Sequence, residues 1–357
     1  MDERRRTLPV IPASFFGMVL GLIGWGNSWR AAHETWGLPA AIGECLMLIG
    51  GVVWAVLVVL FAAKWLAARS DAVSEAGHPV QCCFIGLVGV ATMLVAIAVQ
   101  PYSRRAAVVL FALGVAFTLF FALWRTGNLW QGARDAAATT PVLYLPTVAG
   151  SYVTAIGCSV FGFPEWGRLA LGAGILSWFA IESVLLHRLY TVAEMPPPLR
   201  PVLGIQLAPP TVGATAYLSV TSGPPDLFVY GLIGYGLLQL LLLVRLVPWI
   251  FAAGFTASAW AFTFGLTALA TAMVKMTGRG DAGPVSILAP AIFVFVSAVM
   301  TVIALRTIWL LAKGRLLPPS SIPASANSSP TAPQTAGKER GVLDQAGSNN
   351  AARPDNR

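Results

Sequence analysis

The amino-acid sequence predicts an all-α integral membrane protein with ten transmembrane helices. Only 11% of its 357 residues are charged and 56% are hydrophobic, whereas soluble domains have roughly 25% charged residues. Ten segments, free or nearly free of charge, are each long enough to cross a bilayer core of roughly 30 Å as a helix. These segments, called spans 1 to 10, are residues 12–31, 41–63, 81–99, 105–124, 141–163, 167–187, 201–221, 227–247, 254–274 and 285–309.

Loop charge predicts the orientation of the chain. An even number of spans places both termini on the same side of the membrane. With both termini inside, twelve Lys and Arg residues flank the inner ends of the spans and six flank the outer ends. Cytoplasmic loops carry the excess of positive charge, so both termini are expected in the cytoplasm. The predicted organisation is a short cytoplasmic N-terminus (1–8), a transmembrane domain (9–316) and a tail (317–357) whose Pro, Ser and Asn content predicts disorder.

The composition argues against several classes of function. The net charge of +8 comes from Lys and Arg residues placed singly at the ends of apolar runs, so no basic face is available for a nucleic acid. The four cysteines and three histidines are scattered, and no metal site or other cofactor is expected. The sequence contains no H-E-x-x-H, G-x-S-x-G or P-loop motif, so an enzyme is not predicted.

Helix-disturbing residues are concentrated in the odd-numbered spans. Examples are Gly17 and Gly21 in span 1, Gly86 in span 3, Pro146 in span 5 and Pro209 in span 7. A proline inside a span frees a backbone carbonyl that lipid cannot satisfy, so the odd spans are expected to face protein or a water-filled cavity. The even spans, richer in Leu, Val and Phe, are expected to face lipid. The alternative is that membrane helices tolerate Gly and Pro generally.

Span 9 presents one large ring among small residues. At 100° per residue, Phe264 shares a stripe of the helix with small and hydroxyl-bearing side chains. These are Ala257, Ala261, Thr267, Ala268 and Thr271. Such a face either packs closely against another helix or lines a narrow pathway that the ring closes. Lys275 continues the stripe to the outer surface, where it either attracts anions or extends its ammonium group to the headgroups.

Acidic residues within the spans are Glu44 in span 2 and Glu182 in span 6. An intramembrane carboxylate is a candidate functional group. Both lie on even spans, so we favour a structural role for Glu182, either pairing with an inner-loop arginine or capping a broken helix. With no acidic residue on the odd spans, a pathway between them would favour anions over cations. It would also lack a titrating group, which disfavours proton-coupled transport.

Several motifs together resemble a known family. The runs LYLPTVA at 143–149, GIQLAP at 204–209 and WAFTFG at 260–265 occur in this order. With the stretches around them, residues 9–315 are similar to the tellurite-resistance/dicarboxylate transporter family. The resemblance is to its bacterial tellurite-resistance members, and more distantly to the plant slow-type anion channels and the fungal malate permease.

The resemblance implies a fold and a set of site residues. The implied fold is five tandem helical hairpins with quasi-fivefold symmetry around a central pore, in a homotrimer of the bacterial inner membrane. A phenylalanine of the motif W-[AS]-[FY]-[ST]-F-[GP] closes the pore in this family. It matches Phe264 rather than Phe262, which lies 200° away on a helix. The expected pore-lining residues are Gly17, Gly21, Gly86, Pro146, Pro209, Ala261, Thr267, Ala268 and Thr271, with Lys275 at the pore mouth.

The leading functional hypothesis is a passive channel or facilitator for small anions of the halide, tellurite or C4-dicarboxylate class. One alternative is a proton-coupled exporter of dicarboxylates or toxic oxyanions. Another is a membrane scaffold for tellurite resistance that conducts nothing. The expected partners are small inorganic or carboxylate anions, membrane lipid and other copies of the chain.

Overall fold

The computed structural model describes residues 9–132 and 135–317, and all regular secondary structure within these ranges is helical. The α-helices are α1 (Phe16–Trp36), α2 (Ala40–Ala67), α3 (Arg69–Gly77), α4 (Leu87–Val99), α5 (Arg104–Trp130), α6 (Gly150–Val160), α7 (Pro164–Thr191), α8 (Ala208–Val220), α9 (Leu227–Ile250), α10 (Thr263–Gly278) and α11 (Pro284–Ala312). Except for the short α3, each overlaps one predicted span. The predicted N-terminal segment, and the predicted tail after residue 317, lie outside the described residues.

Each odd-numbered span opens with a helical segment that is not α-helical. These segments are 3₁₀ helices at Ala13–Phe15, Gln81–Gly86, Pro141–Leu143, Pro197–Leu207 and Ala257–Phe262, and a π-helix at Leu145–Ala149. Pro146 lies within the π-helix and Pro201 within a 3₁₀ helix. A proline has no N–H to donate, and its ring collides with the preceding turn of an α-helix. Of the helix-disturbing residues noted in the sequence, Gly86 and Pro146 lie in these irregular segments, whereas Gly17, Gly21 and Pro209 lie in the α-helices that follow.

The five α-helices that follow these segments form a closed ring. Helix α1 contacts α4, α4 contacts α6, α6 contacts α8, α8 contacts α10, and α10 contacts α1. Each also packs against the long helix that follows it in the chain, which gives the pairs α1–α2, α4–α5, α6–α7, α8–α9 and α10–α11. We call α1, α4, α6, α8 and α10 the inner helices and their partners the outer helices.

Eight helical segments of the described residues are long and apolar enough to cross a membrane. Three of these segments contain inner helices, and 56–83% of the residues in their most apolar stretch are buried. The other five are the outer helices, where the corresponding share is 22–39%. The outer helices expose large apolar side chains, which suit contact with lipid. This burial pattern agrees with the expected difference between odd and even spans.

The two remaining predicted spans coincide with helical segments that end in α1 and α8. Twelve of the 21 residues of α1 and ten of the 13 residues of α8 are buried. Both helices are therefore mostly shielded by their neighbours. The ten-span arrangement stays a prediction.

A buried ion pair holds the first described residues against α3. Lys64, at the end of α2, donates to Glu75 of α3 (Nζ to Oε2, 2.5 Å) and to the carbonyl of Ile11 (3.0 Å). The other carboxylate oxygen of Glu75 accepts from the backbone N–H of Ala13 at 2.8 Å. The Lys64 and Glu75 side chains are only 4% and 9% exposed. This contact fixes the point at which the chain enters the first 3₁₀ segment.

Candidate functional site

Two cavities lie inside the ring, and every inner helix or the segment before it lines both of them. Cavity 1, about 110 Å³, is lined by residues that include Gly17, Leu20, Phe84, Leu87, Leu145, Val148, Tyr152, Val202, Pro209, Val212, Trp260, Ala261 and Phe264. Cavity 2, about 150 Å³, is lined by residues that include Gly24, Arg30, Glu34, Leu94, Ile97, Ile156, Val160, Val212, Thr215, Ser219, Phe264, Ala268, Thr271 and Lys275. The N-terminal parts of the inner helices face cavity 1 and their C-terminal parts face cavity 2. The inner helices therefore run in the same direction along the two cavities.

Phe264 of α10 lies at the boundary between the cavities. It lines both of them, as does Val212 of α8. The ring atom Cδ2 of Phe264 is 3.5 Å from the position that a Cβ on Gly24 of α1 would occupy. The ring is therefore placed between two cavities and close to a helix that offers no side chain at that point.

Each cavity includes exposed residues at the end away from Phe264. Pro198 and Ser258 are exposed in cavity 1, and Glu34 and Val160 are exposed in cavity 2. The two cavities thus approach opposite ends of the ring of inner helices. A solute moving from one end to the other has to pass the level of Phe264.

Phe262 lies in a different environment, although it is only two residues away. It is 8% exposed and lines neither cavity. Its ring contacts that of Phe251, with 5.7 Å between centroids. A Cβ on Gly204 would lie 2.4 Å from its Cδ2 atom. The two phenylalanines therefore face different surroundings, as their 200° separation on a helix predicts.

Five of the predicted lining residues border the cavities. Gly17, Pro209 and Ala261 line cavity 1, and Ala268 and Thr271 line cavity 2. They come from three inner helices and the segments before them, and the structure brings them together around Phe264.

The other four predicted lining residues are buried and line neither cavity. They are Gly21, Gly86, Pro146 and Thr267. A Cβ on Gly21 would meet the hydroxyl oxygen of Thr263 at 2.3 Å, and one on Gly86 would meet the ring of Phe121 at 2.9 Å. Thr267 is fully buried, and a Cβ on Gly24 of α1 would lie 2.3 Å from its hydroxyl oxygen. Close helix packing and a cavity wall both favour small residues, so the sequence alone does not distinguish them.

Two threonine hydroxyls of α8 bind carbonyls of α10 in the turn that follows Phe264. The hydroxyl of Thr211 donates to the carbonyl of Gly265 at 2.9 Å, and that of Thr215 donates to the carbonyl of Ala268 at 3.2 Å. Both hydroxyls are buried, so these bonds are not open to competition from water. The backbone that carries the Phe264 ring is therefore held firmly against α8.

The charged side chains of the site lie along cavity 2. Arg30 is already paired, because its Nε and Nη2 atoms donate to Glu44 at 2.8 and 2.7 Å. Lys275 makes no hydrogen bond or ion pair within the described residues, and Glu34 is exposed. The odd spans as predicted contain no acidic residue, but the first inner helix is longer than its predicted span. Helix α1 extends to Trp36 rather than ending at residue 31, and Glu34 lies in the additional turn.

Glu182 is buried next to cavity 1 and accepts four hydrogen bonds. Trp178 and Gln206 donate to it at 2.9 and 3.1 Å. The hydroxyl of Tyr235 donates at 2.6 Å, and that of Tyr144, which lines cavity 1, donates to the same carboxylate. Of the two predicted alternatives, an arginine partner is not found among the described residues, where neutral donors from four segments meet this carboxylate. Glu182 thus joins the irregular starts of two inner helices to α7 and α9.

Known proteins resemble this chain over most of its length. Residues 11–308 match the SLAC1 family model, described as voltage-dependent anion channel. The chain is 33% identical over 306 residues to the tellurite resistance protein TehA homolog of Haemophilus influenzae, which covers 85% of this chain and 92% of that protein. It is 26% identical over 325 residues to the guard cell S-type anion channel SLAC1 of Arabidopsis thaliana, with 86% and 57% covered. It is 24% identical over 288 residues to the S-type anion channel SLAH3 of the same plant, with 77% and 44% covered.

Proposed function

We propose that this chain, which belongs to the SLAC1 family of membrane anion channels and transporters, is a channel or facilitator for small anions in the bacterial inner membrane. The proposal depends most on the two cavities that the five inner helices share, with Phe264 between them. In this proposal ten spans surround the pathway with quasi-fivefold symmetry, the Phe264 ring closes it, and three copies of the chain assemble with one pathway each.

The side chains along the cavities favour anions. The described residues that line cavity 1 include no Asp or Glu, and those that line cavity 2 include two cations and one acid. A cation pathway normally carries acidic side chains along its length. Glu34 lies at the exposed end of cavity 2, so it does not place a negative charge next to Phe264.

Flux in liposomes tests this proposal. The purified protein is reconstituted, and the uptake of chloride, nitrate, succinate and tellurite is measured against potassium and against protein-free vesicles. Anion uptake above the protein-free level, without potassium uptake, supports the proposal. If no anion enters, even with Phe264 replaced by alanine, the non-conducting scaffold is favoured instead.

Proton-coupled export is a second candidate because Glu34 supplies an acidic group in cavity 2. A coupled carrier needs a titrating group in its pathway. A coupled exporter moves protons together with the anion, so an imposed pH gradient drives anion accumulation in the liposomes. A passive channel equilibrates the anion without accumulating it. A dye for internal pH, read in the same vesicles, distinguishes the two mechanisms.

Removing a positive charge and removing a negative charge at the mouth of cavity 2 are expected to change anion flux in opposite directions. Lys275→Gln removes an unpaired cation and should lower the flux at low ionic strength by roughly two- to fivefold, whereas Glu34→Gln should raise it by a similar factor. Both effects should shrink in high salt, that of the exposed Glu34 more than that of the half-buried Lys275, because salt screens exposed charges most. The measurement is initial anion uptake at low and at high salt. If both variants match the wild type at low salt, Lys275 instead serves to hold the helix end at the lipid headgroups.

Both termini are expected on the cytoplasmic side. A periplasm-dependent phosphatase fused at Pro318 should be inactive, and a cytoplasm-dependent fluorescent reporter fused at the same residue should be active. In the matched control, the chain is truncated at Gly162, between α6 and α7, and the same reporters are fused there. This connection is predicted on the periplasmic side, so the phosphatase should be active and the fluorescent reporter inactive. An active phosphatase at Pro318 would show that the orientation is inverted.

A further inference from the structure

The face of α1 that borders the cavities carries one amide side chain. Its lining residues recur every three or four positions and include Gly17, Leu20, Gly24, Asn27, Ala31 and Glu34. This spacing places them on one face of the helix, so the Asn27 side chain is directed toward cavity 2. Asn27 is half-buried, and its amide has no hydrogen-bond partner among the described residues and keeps accessible surface. A solute in cavity 2 can therefore reach this amide.

Asn27 lies one turn beyond the level of the Phe264 ring. Gly24 precedes it by three residues on the same face of α1, and a Cβ at Gly24 would lie 3.5 Å from the Phe264 ring. From there α1 continues to Glu34, which is exposed at the end of cavity 2. An anion that moves between this exposed end and the Phe264 ring therefore passes Asn27.

The hydroxyl groups that line cavity 2 have no proton left for an anion. Thr215, Ser219 and Thr271 each donate to a backbone carbonyl at 2.8–3.2 Å. A hydroxyl has a single proton to donate, whereas a side-chain amide has two. Arg30, one turn beyond Asn27, is paired with Glu44. Among the described lining residues, the Asn27 amide is therefore the unengaged uncharged donor on the way to Phe264.

We propose that the Asn27 amide donates a hydrogen bond to a small monovalent anion in cavity 2 next to Phe264. This makes Asn27 a specificity-determining residue, and the proposal rests on the proposed function. Leu94, Ile97 and Ile156 also line cavity 2, so an anion there exchanges part of its water for apolar surface. The N–H donor replaces some of that hydration. Its loss should affect a strongly hydrated anion such as chloride more than a weakly hydrated one such as thiocyanate.

The test compares two anions in a background expected to conduct. In Phe264→Ala protein, Asn27→Leu should lower chloride flux by roughly tenfold, the size expected for one hydrogen bond to a charged group, and lower thiocyanate flux much less. Leucine keeps the branched shape of asparagine but has no donor. The thermal unfolding midpoint should stay the same or rise, because the amide lost has no partner among the described residues. The remaining thiocyanate flux shows that the pathway is still open.

Two further variants separate the amide from its volume and from cavity polarity in general. Asn27→Ala removes the amide and leaves more room, so it should lower the chloride-to-thiocyanate ratio by a similar factor. If only leucine lowers the ratio, the effect is steric and the assignment is overturned. The matched control, Ser219→Ala, removes a cavity 2 hydroxyl that donates to its own helix, and the ratio should stay unchanged. An equal fall in this control would also overturn the assignment.

The possible failures can be told apart. If Phe264→Ala conducts and both Asn27 variants leave the chloride-to-thiocyanate ratio unchanged, the assignment of Asn27 is overturned while the proposed function stands. If Phe264→Ala conducts nothing, the proposed function fails, and chloride binding decides the assignment alone. Chloride, measured against the bulky sugar acid lactobionate at equal ionic strength, should then raise the unfolding midpoint of the wild type more than that of Asn27→Leu. An equal shift in both proteins, or none in either, overturns the assignment.

Discussion

Replacing Phe264 by alanine is expected to produce a constitutively conducting anion pathway. The ring lies between two cavities that both approach the protein surface, and its neighbours on the same stripe, Ala261 and Ala268, are too small to fill the space it leaves. Gly24 on the facing helix contributes no side chain there. An apolar constriction excludes water and ions, so removing it should raise anion flux on the order of tenfold or more. The measurement is flux per reconstituted molecule in liposomes.

The stability of this variant separates a gate from a packing residue. If the ring filled a sealed helix interface, Phe264→Ala would leave a void, cost about 3–5 kcal/mol and give no flux. The ring instead borders open space on two sides, so fewer contacts are lost and a smaller decrease in the free energy of unfolding is expected. Raised flux together with a small loss of stability supports the gate.

Phe262→Ala is the matched control, because it removes the same side chain two residues away. That ring is buried against Gly204 and Phe251. Its removal should cost about 3–5 kcal/mol by leaving a void, and it should not raise the flux per molecule. If Phe262→Ala conducts and Phe264→Ala does not, the assignment of the gate is wrong.

Much of the helix pattern could be predicted because it depends on local chemistry. Apolar length predicts the helical segments, and Pro146 and Pro201 disturb their own helices wherever the chain packs. The common face of Phe264, Ala268 and Thr271 on α10 also follows from helix geometry alone. Phe264 could therefore be separated from Phe262 by their angle before any contact was known.

The surroundings of individual glycines could not be predicted in the same way. Gly17 borders cavity 1, whereas Gly21, one turn later on the same helix, lies against the hydroxyl of Thr263. Both roles require only the absence of a side chain, so a glycine in the sequence does not distinguish the two environments.

Glu34 was missed for a different reason. The spans were located by apolar runs, and the polar residues around Glu34 end such a run before the last turn of α1. Helix ends are the least certain part of such a prediction.

The partners of Glu182 were equally hidden from the sequence. Its carboxylate meets Tyr144, Gln206 and Tyr235, which lie 38, 24 and 53 residues away along the chain. Each is an ordinary residue of an apolar segment, and nothing in its local sequence indicates a carboxylate partner. Only the tertiary packing of α7, α9 and the irregular segments before α6 and α8 brings the donors together. The intramembrane carboxylate itself was the one signal available.

Glu182→Gln is expected to destabilise the protein strongly. The amide retains the shape of the carboxylate, but it has one acceptor oxygen instead of two and adds an NH₂ group among the donors. Trp178 and Tyr144 both donate to the same carboxylate oxygen, and Gln206 and Tyr235 donate to the other, so one pair loses its acceptor. Buried donors left unsatisfied cost about 1–3 kcal/mol each, so the free energy of unfolding should fall by roughly 3 kcal/mol. Thermal unfolding of the purified protein in detergent measures the change.

The matched control is Glu165→Gln on the same helix. Glu165 pairs with Arg168 at 2.8 Å, but both side chains are more than half exposed, so its loss should change stability by less than about 1 kcal/mol. Adding Tyr144→Phe to Glu182→Gln should recover part of the loss, because that phenol no longer needs an acceptor. A Glu182→Gln protein with wild-type stability but an altered pH dependence of anion flux would contradict the structural role. It would instead assign this carboxylate to transport.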